Sequence, residues 1–229
     1  MPGPRRDRPA DGVKREACVI VLQTLIRSVS RIQHHAVWLS ILLLAALVEG
    51  CWIPEQFDAK VTVNTDGSYT YSYDGVLTFA PALADARRGV LDARGEMEVA
   101  KLAPQLRQSG FQKADYLGKG RFSASLQRSV PRGQASYFLS KEMQIFYVLP
   151  QNDGRLVIGA FRPDANALVQ LHQIGAKIDG TLSVSVGSGV TVLKHNAQSE
   201  PWLFGLLGSY KWQIKSPDAN PFIVVQPAS

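Results

Sequence analysis

Two alternating runs, Lys60-Val61-Thr62-Val63-Asn64 and Tyr69-Thr70-Tyr71-Ser72-Tyr73-Asp74, flank Thr65-Asp66-Gly67-Ser68. Successive side chains of a strand point to opposite faces, so Val61, Val63 and the three tyrosines share one apolar face and the polar residues share the other. Asp-Gly between such runs is a hairpin signal, because the tight turns that match strand twist need positive φ, which glycine adopts without a steric penalty. The second strand continues through Val76, Leu77 and Phe79, with Asp74-Gly75 as a bulge. A lone hairpin is marginal in water. The tyrosine face must therefore be covered by more of the chain, and it reads as a packed sheet face rather than a ligand platform.

Upstream, Arg27 and Arg31 precede an apolar core from Ala36 to Val48 that closes on Val48-Glu49-Gly50-Cys51. A positive flank, a short apolar core and a small residue before a cut are the parts of a secretory signal. A span would need about twenty apolar residues for a bilayer core of roughly 30 Å, more than Ala36 to Val48 supplies. The closing tetrad resembles the lipobox of bacterial lipoproteins; Val48 and Gly50 conform to it and Glu49 departs from it. The resemblance implies cleavage between Gly50 and Cys51, diacylglycerol on the Cys51 thiol, and acylation, with palmitate for example, of the new amino end. The expected organisation is a leader and signal over 1–50, a lipidated tether over 51–56 and a single exported domain over 57–229 that folds without its tether. Met1 to Glu16 is rich in Pro, Arg and Asp and carries no periodic apolar residues, so it is expected to be disordered. So long a leader leads to the expectation that translation starts downstream of Met1.

The formal charge of +6 is concentrated in the leader, where seven Lys or Arg face four Asp or Glu, leaving 18 against 15 in the remainder. That balance is no nucleic-acid signature. The 179 residues after Gly50 suit one domain with its own core. Of the two cysteines, Cys18 lies in the leader and Cys51 would carry lipid, so no disulfide is available. The exported domain must rest on packing.

From Ala80 the composition turns to Ala, Leu, Arg, Asp, Glu and Lys, and Leu83, Ala86, Val90, Met97 and Ala100 recur at helical spacing. One amphipathic helix is expected to Gln108, weakened by Gly89 and Gly95 and kinked at Pro104. Strands follow at Phe111 to Leu117 and Arg121 to Val130, around Gly118-Lys119-Gly120. A further pair, Met143 to Leu149 and Arg155 to Phe161, surrounds Asn152-Asp153-Gly154. Gly-Lys-Gly lacks the spacing and the Lys-Ser/Thr pair of a phosphate loop and reads as a turn. A second helix is expected over Pro163 to Ile174, with Ala167, Leu168, Leu171 and Ile174 on one face and Gly175 at its end. Strands at Thr181 to Val186, Val190 to Lys194, Tyr210 to Ile214 and Phe222 to Val225 complete the chain. The fold class is α+β: a mainly antiparallel, hairpin-built sheet with about two helices on one face, after an N-terminal signal segment.

The segments Gly180-Thr181-Leu182-Ser183-Val184, His195-Asn196-Ala197 and Tyr210-Lys211-Trp212-Gln213-Ile214 are similar to those of LppM-like bacterial lipoproteins, as is the Asp-Gly-Ser-Tyr hairpin. The resemblance implies a membrane-tethered envelope domain on the exported side, without a settled enzymatic role. In a two-membrane envelope, Asp after the lipidated cysteine holds lipoproteins in the inner membrane; Trp52 stands there, so outer-membrane sorting is permitted.

General-base and zinc chemistry at neutral pH most often use histidine, and only His172 and His195 follow the signal. Neither has a local metal partner, and no serine sits in a Gly-x-Ser-x-Gly elbow. No metal, cofactor or catalytic residue is assigned. Asp92, Glu96 and Glu98 lie on a mixed-charge helix face and read as solubilising. The domain is therefore expected to bind an envelope protein, a lipid or a cell-wall partner, with the membrane engaged through Cys51. The alternative is an enzyme whose site is assembled from distant residues, with His195, Asn196 and Asp179 as first candidates. The least ordinary segment is Pro201 to Gly208, where Trp202, Leu203, Phe204 and Leu206 are apolar in what should be a surface connection. It either folds back over the core or makes a contact with lipid or a partner.

Overall fold

The computed structural model describes residues 52–139, 144–202 and 208–228. Their backbone forms two sheets. β1 (Trp52–Val63) and β2 (Tyr69–Phe79) are the expected hairpin, with Val61 opposite Tyr71 and Val63 opposite Tyr69. Asp66 accepts from the amide and hydroxyl of Ser68, and Gly67 takes φ 82°. Tyr69, Tyr71 and Tyr73 are all at most 3% exposed. Burial pushes the Tyr69 and Tyr73 phenols far up, so they stay neutral; their hydroxyls donate to the carbonyls of Gln134 and Val76.

Helices α1 (Ala80–Arg88), α2 (Ala93–Ala100) and α3 (Leu102–Gln108) replace the single long helix. Gly89 ends α1 in the left-handed region at φ 70°, where its amide and that of Val90 reach back to Ala86 and Asp85. Asp92 then caps α2 through the Gly95 amide. Val90 and Met97, expected on the buried face, are 63% and 62% exposed because the break takes them off it. Ala103, Leu106 and the following Phe111 do enter the core.

The first sheet continues with β3 (Lys113–Gly118), β4 (Arg121–Val130), β8 (Asp179–Val186) and β10 (Tyr210–Ile214), in the order β10-β8-β1-β2-β4-β3. The second holds β5 (Ser136–Leu139), β6 (Gln144–Pro150), β7 (Leu156–Ala160), β9 (Thr191–His195) and β11 (Phe222–Gln226), in the order β5-β6-β7-β11-β9. All pairs are antiparallel except β1 with β8. Thus β8 and β9, adjacent along the chain, belong to different sheets. A fourth helix, α4 (Ala165–Gln173), half-buries the expected face of Ala167, Leu168 and Leu171.

One core joins the sheets. Phe57 meets Phe146 at 5.5 Å between ring centroids, and Tyr71 meets Phe138 at 4.5 Å. The single hairpin-built sheet of the sequence reading is corrected to two, and the four helices among the described residues exceed the two expected.

The strand β1 also begins earlier than expected. Residues 52–56 are no loose tether: Trp52 packs on Phe79 and Phe122, Ile53 is 2% exposed, and Glu55 pairs with Arg121 at 2.6 Å. The bulge lies in β1 and not at Asp74-Gly75, since Pro54 faces Leu77 and Phe57 faces Gly75, leaving Glu55 and Gln56 opposite Val76 alone.

Candidate functional site

Several residues singled out in the sequence lie outside the described residues: Gly50 and Cys51 at the expected cleavage and lipidation point, and Leu203, Phe204 and Leu206 of the apolar segment. Trp202 is described and is 76% exposed, so its side chain does not fold back over the core. Its position follows from register. Ser199 bridges Lys211, Lys211 faces Ser183, and Ser183 faces Lys60. The chain from Ser199 to Trp202 runs antiparallel to β10 and hence away from the Trp52 end of β1. At about 3.3 Å per residue, Trp202 stands roughly 35 Å along the strand direction from Trp52. An exposed Trp202 contributes little packing, so Trp202→Ser should change stability by less than about 0.5 kcal/mol in a thermal melt. A loss like that of a buried tryptophan, about 3 to 5 kcal/mol, would place the ring in the core.

The polar residues of the alternative enzyme reading have structural work. The Asn196 side-chain oxygen accepts from Trp212 Nε1 at 2.8 Å and from the Phe222 amide at 2.9 Å, while its amide group donates to the Asn220 carbonyl. It ties β9, β10 and β11 together across the two sheets. His195 Nδ1 accepts from the Ala197 amide, its ring lies on Tyr210, and its Nε2 is 3.7 Å from Glu200, beyond hydrogen-bond range. Asp179 opens β8 opposite Gln56. No hydrogen bond or ion pair joins it to His195 or Asn196 among the described residues. His172 lies on the exposed side of α4. Among the carboxylates of α2, Asp92 caps the helix, Glu98 pairs with Lys101 at 2.7 Å, and Glu96 accepts from the Tyr116 hydroxyl and the Lys119 amide. The Gly118-Lys119-Gly120 turn therefore aims its amide at an acid of the protein itself, and Gly120 packs against Ala82 and Leu83. No group of three or more His, Cys, Asp or Glu among the described residues is arranged to hold a metal. No helix among the described residues is long and apolar enough to cross a membrane.

An open depression lies on the outer face of the first sheet, over β10, β8 and β1, with a volume of about 470 Å³. It arises from alternation: Ala59, Val61, Val63, Leu182, Val184, Trp212 and Ile214 are buried inward, which leaves the intervening polar residues outward. Register stacks these in rows, Gln213 with Thr181 and Asp58, Lys211 with Ser183 and Lys60, and Ser185 with Thr62. Every residue lining the depression is polar or charged. Asp58 holds Lys60 at 2.9 Å, and that hydrogen bond raises the lysine pKa. Lys211 makes no ion pair among the described residues. Sequence reading missed this face. Each polar half of the alternation was visible, but nothing local says that β10 and β8 lie beside β1.

No family model matches the chain, and no curated protein matches it. Among solved structures, the chain is similar to the folded domain of LppM from Mycobacterium tuberculosis, determined by NMR, at 8% identity and a TM-score of 0.37, over 77% of this chain and 92% of that one.

Proposed function

We propose that the protein is a membrane-anchored envelope lipoprotein whose exported domain binds rather than catalyses. The observation that carries this reading is the packing of Trp52 and Ile53. The tetrad ending at Cys51 would place the cut before that residue, and the two residues that follow it, Trp52 and Ile53, already pack into the first sheet. Cleavage there would leave the two-sheet core whole. The lipid would sit one residue from a rigid strand, and two or more acyl chains, at about 0.8 kcal/mol per buried methylene, hold stably without a spanning helix. The structural roles of Asn196, Glu96 and Asp92 support a binding domain over an assembled catalytic site.

With the anchor at the Trp52 end, Trp202 at the opposite end of β1 is a contact for an envelope partner rather than for the anchoring bilayer. Tryptophan suits such a place because its large ring contributes contact area at little entropic cost. Cys51→Ser should abolish metabolic labelling with palmitate and block removal of residues 1–50. Undiminished labelling of the variant would refute the anchor.

A further inference from the structure

We propose that the outer depression of β10, β8 and β1 is a binding site for a phosphate ester of a small polyol, with Lys211 and Lys60 on the phosphoryl oxygens and Ser183 between them. Neighbouring strands lie about 4.8 Å apart, so the two lysine backbones, one strand to either side of Ser183, are separated by roughly 10 Å. Their flexible stems let both ammonium groups converge on one anion above the central hydroxyl. Lys60 is held charged and oriented by Asp58. The same carboxylate is the acceptor that a ligand hydroxyl would use, and Thr181 and Thr62 add hydroxyls to either side.

Size and lining narrow the class further. A volume of about 470 Å³ exceeds what a bare phosphate fills. With no apolar or aromatic side chain in the lining, an acyl chain gains nothing by entering and a sugar ring has no face on which to stack. Asp58 to Thr62 lie about 20 to 33 Å up β1 from Trp52. On the anchor reading, and resting on it for this step alone, the depression stands clear of the headgroups around Cys51, so its occupant is a polyol phosphate free of the bilayer.

The test uses the full chain in detergent micelles, titrated with glycerol 1-phosphate and followed by calorimetry, with glycerol, inorganic phosphate and phosphatidylglycerol vesicles as separate arms. Saturable binding at about millimolar Kd or tighter is expected for the ester, weaker binding for inorganic phosphate, and none for glycerol. Lys211→Gln and Ser183→Ala should each weaken the ester by about tenfold, whereas Lys113→Gln, on the exposed side of β3 away from the depression, should leave it unchanged. The Cys51→Ser protein should bind equally, so a failed anchor leaves the result readable. Absence of saturation, or an equal loss in Lys113→Gln, would overturn the site. Lys211-dependent binding to vesicles in preference to the soluble ester would overturn its occupant.

Discussion

A chain beginning at Trp52 should melt cooperatively in water, whereas one beginning at Phe57 should be less stable by about 4 to 8 kcal/mol, which is comparable to the whole stability of an ordinary domain. The residues removed are built into the first sheet. Ile53 is 2% exposed, and deleting a buried side chain of this size costs about 2 to 5 kcal/mol. Removing Glu55 strands its partner: Arg121 donates to both carboxylate oxygens, at 2.6 and 3.1 Å. The Arg121 side chain is one third exposed, so the penalty falls toward about 1 to 2 kcal/mol rather than the 3 to 5 of a fully buried pair. Trp52 adds about 1 kcal/mol through its edge and tilted contacts with Phe122 and Phe79. These terms share neighbours and do not add strictly. Circular-dichroism melts of the two chains, with one-dimensional NMR for side-chain dispersion, decide the matter. Equal midpoints would mean that residues 52–56 of β1 are dispensable.

The reason this segment was read as a tether is physical. Ile53, Pro54 and Glu55 are buried in succession, so the alternation that marks a strand is absent, and it is absent because the bulge between Pro54 and Phe57 inserts a residue there. Past the bulge, Phe57, Ala59, Val61 and Val63 alternate cleanly, and the Val61–Val63 end of that alternation was readable. The tyrosines of β2, the first part of β4 from Arg121 to Leu126 and the whole of β10 were legible for the same reason, since a half-buried strand writes its burial into a period of two. By contrast β5, only four residues after a proline and a glycine, carries too few residues to show a period. The long helix failed at Gly89, where composition remained helical while the left-handed cap turned the chain. Pairing partners were the least legible. Lys60, Ser183 and Lys211 come together only because β8 joins β1 in parallel, across more than a hundred residues of chain, and β10 joins β8. The candidate site is made of that topology rather than of a motif, so no spacing along the chain could have announced it.

The second large effect is expected at Gly180. Register places Phe57 directly opposite Gly75 on one side and Gly180 on the other, and its ring lies over Gly180. A Cβ there would meet the Phe57 ring, with Cδ1 and Cζ at 2.5 Å. The ring has nowhere to go, because it is stacked on Tyr73 at 5.8 Å with an interplanar angle of 18° and leans on Phe146 at 5.5 Å. Alanine suits the strand backbone at this position, so the cost is one of overpacking, about 3 kcal/mol. Phe57→Leu alone should cost about 1 to 2 kcal/mol through lost contact. Combined with Gly180→Ala it should free the space the new methyl needs, so that the double variant is more stable than the sum of the single losses by about 1 to 2 kcal/mol. Additive losses in urea melts would mean that the ring is not the obstacle. Gly75→Ala supplies the contrast. A Cβ at Gly75 meets the Gln56 carbonyl and lies 2.7 Å from the Phe57 Cα, backbone atoms that a change of side chain leaves in place. Phe57→Leu should therefore rescue Gly180→Ala and fail to rescue Gly75→Ala.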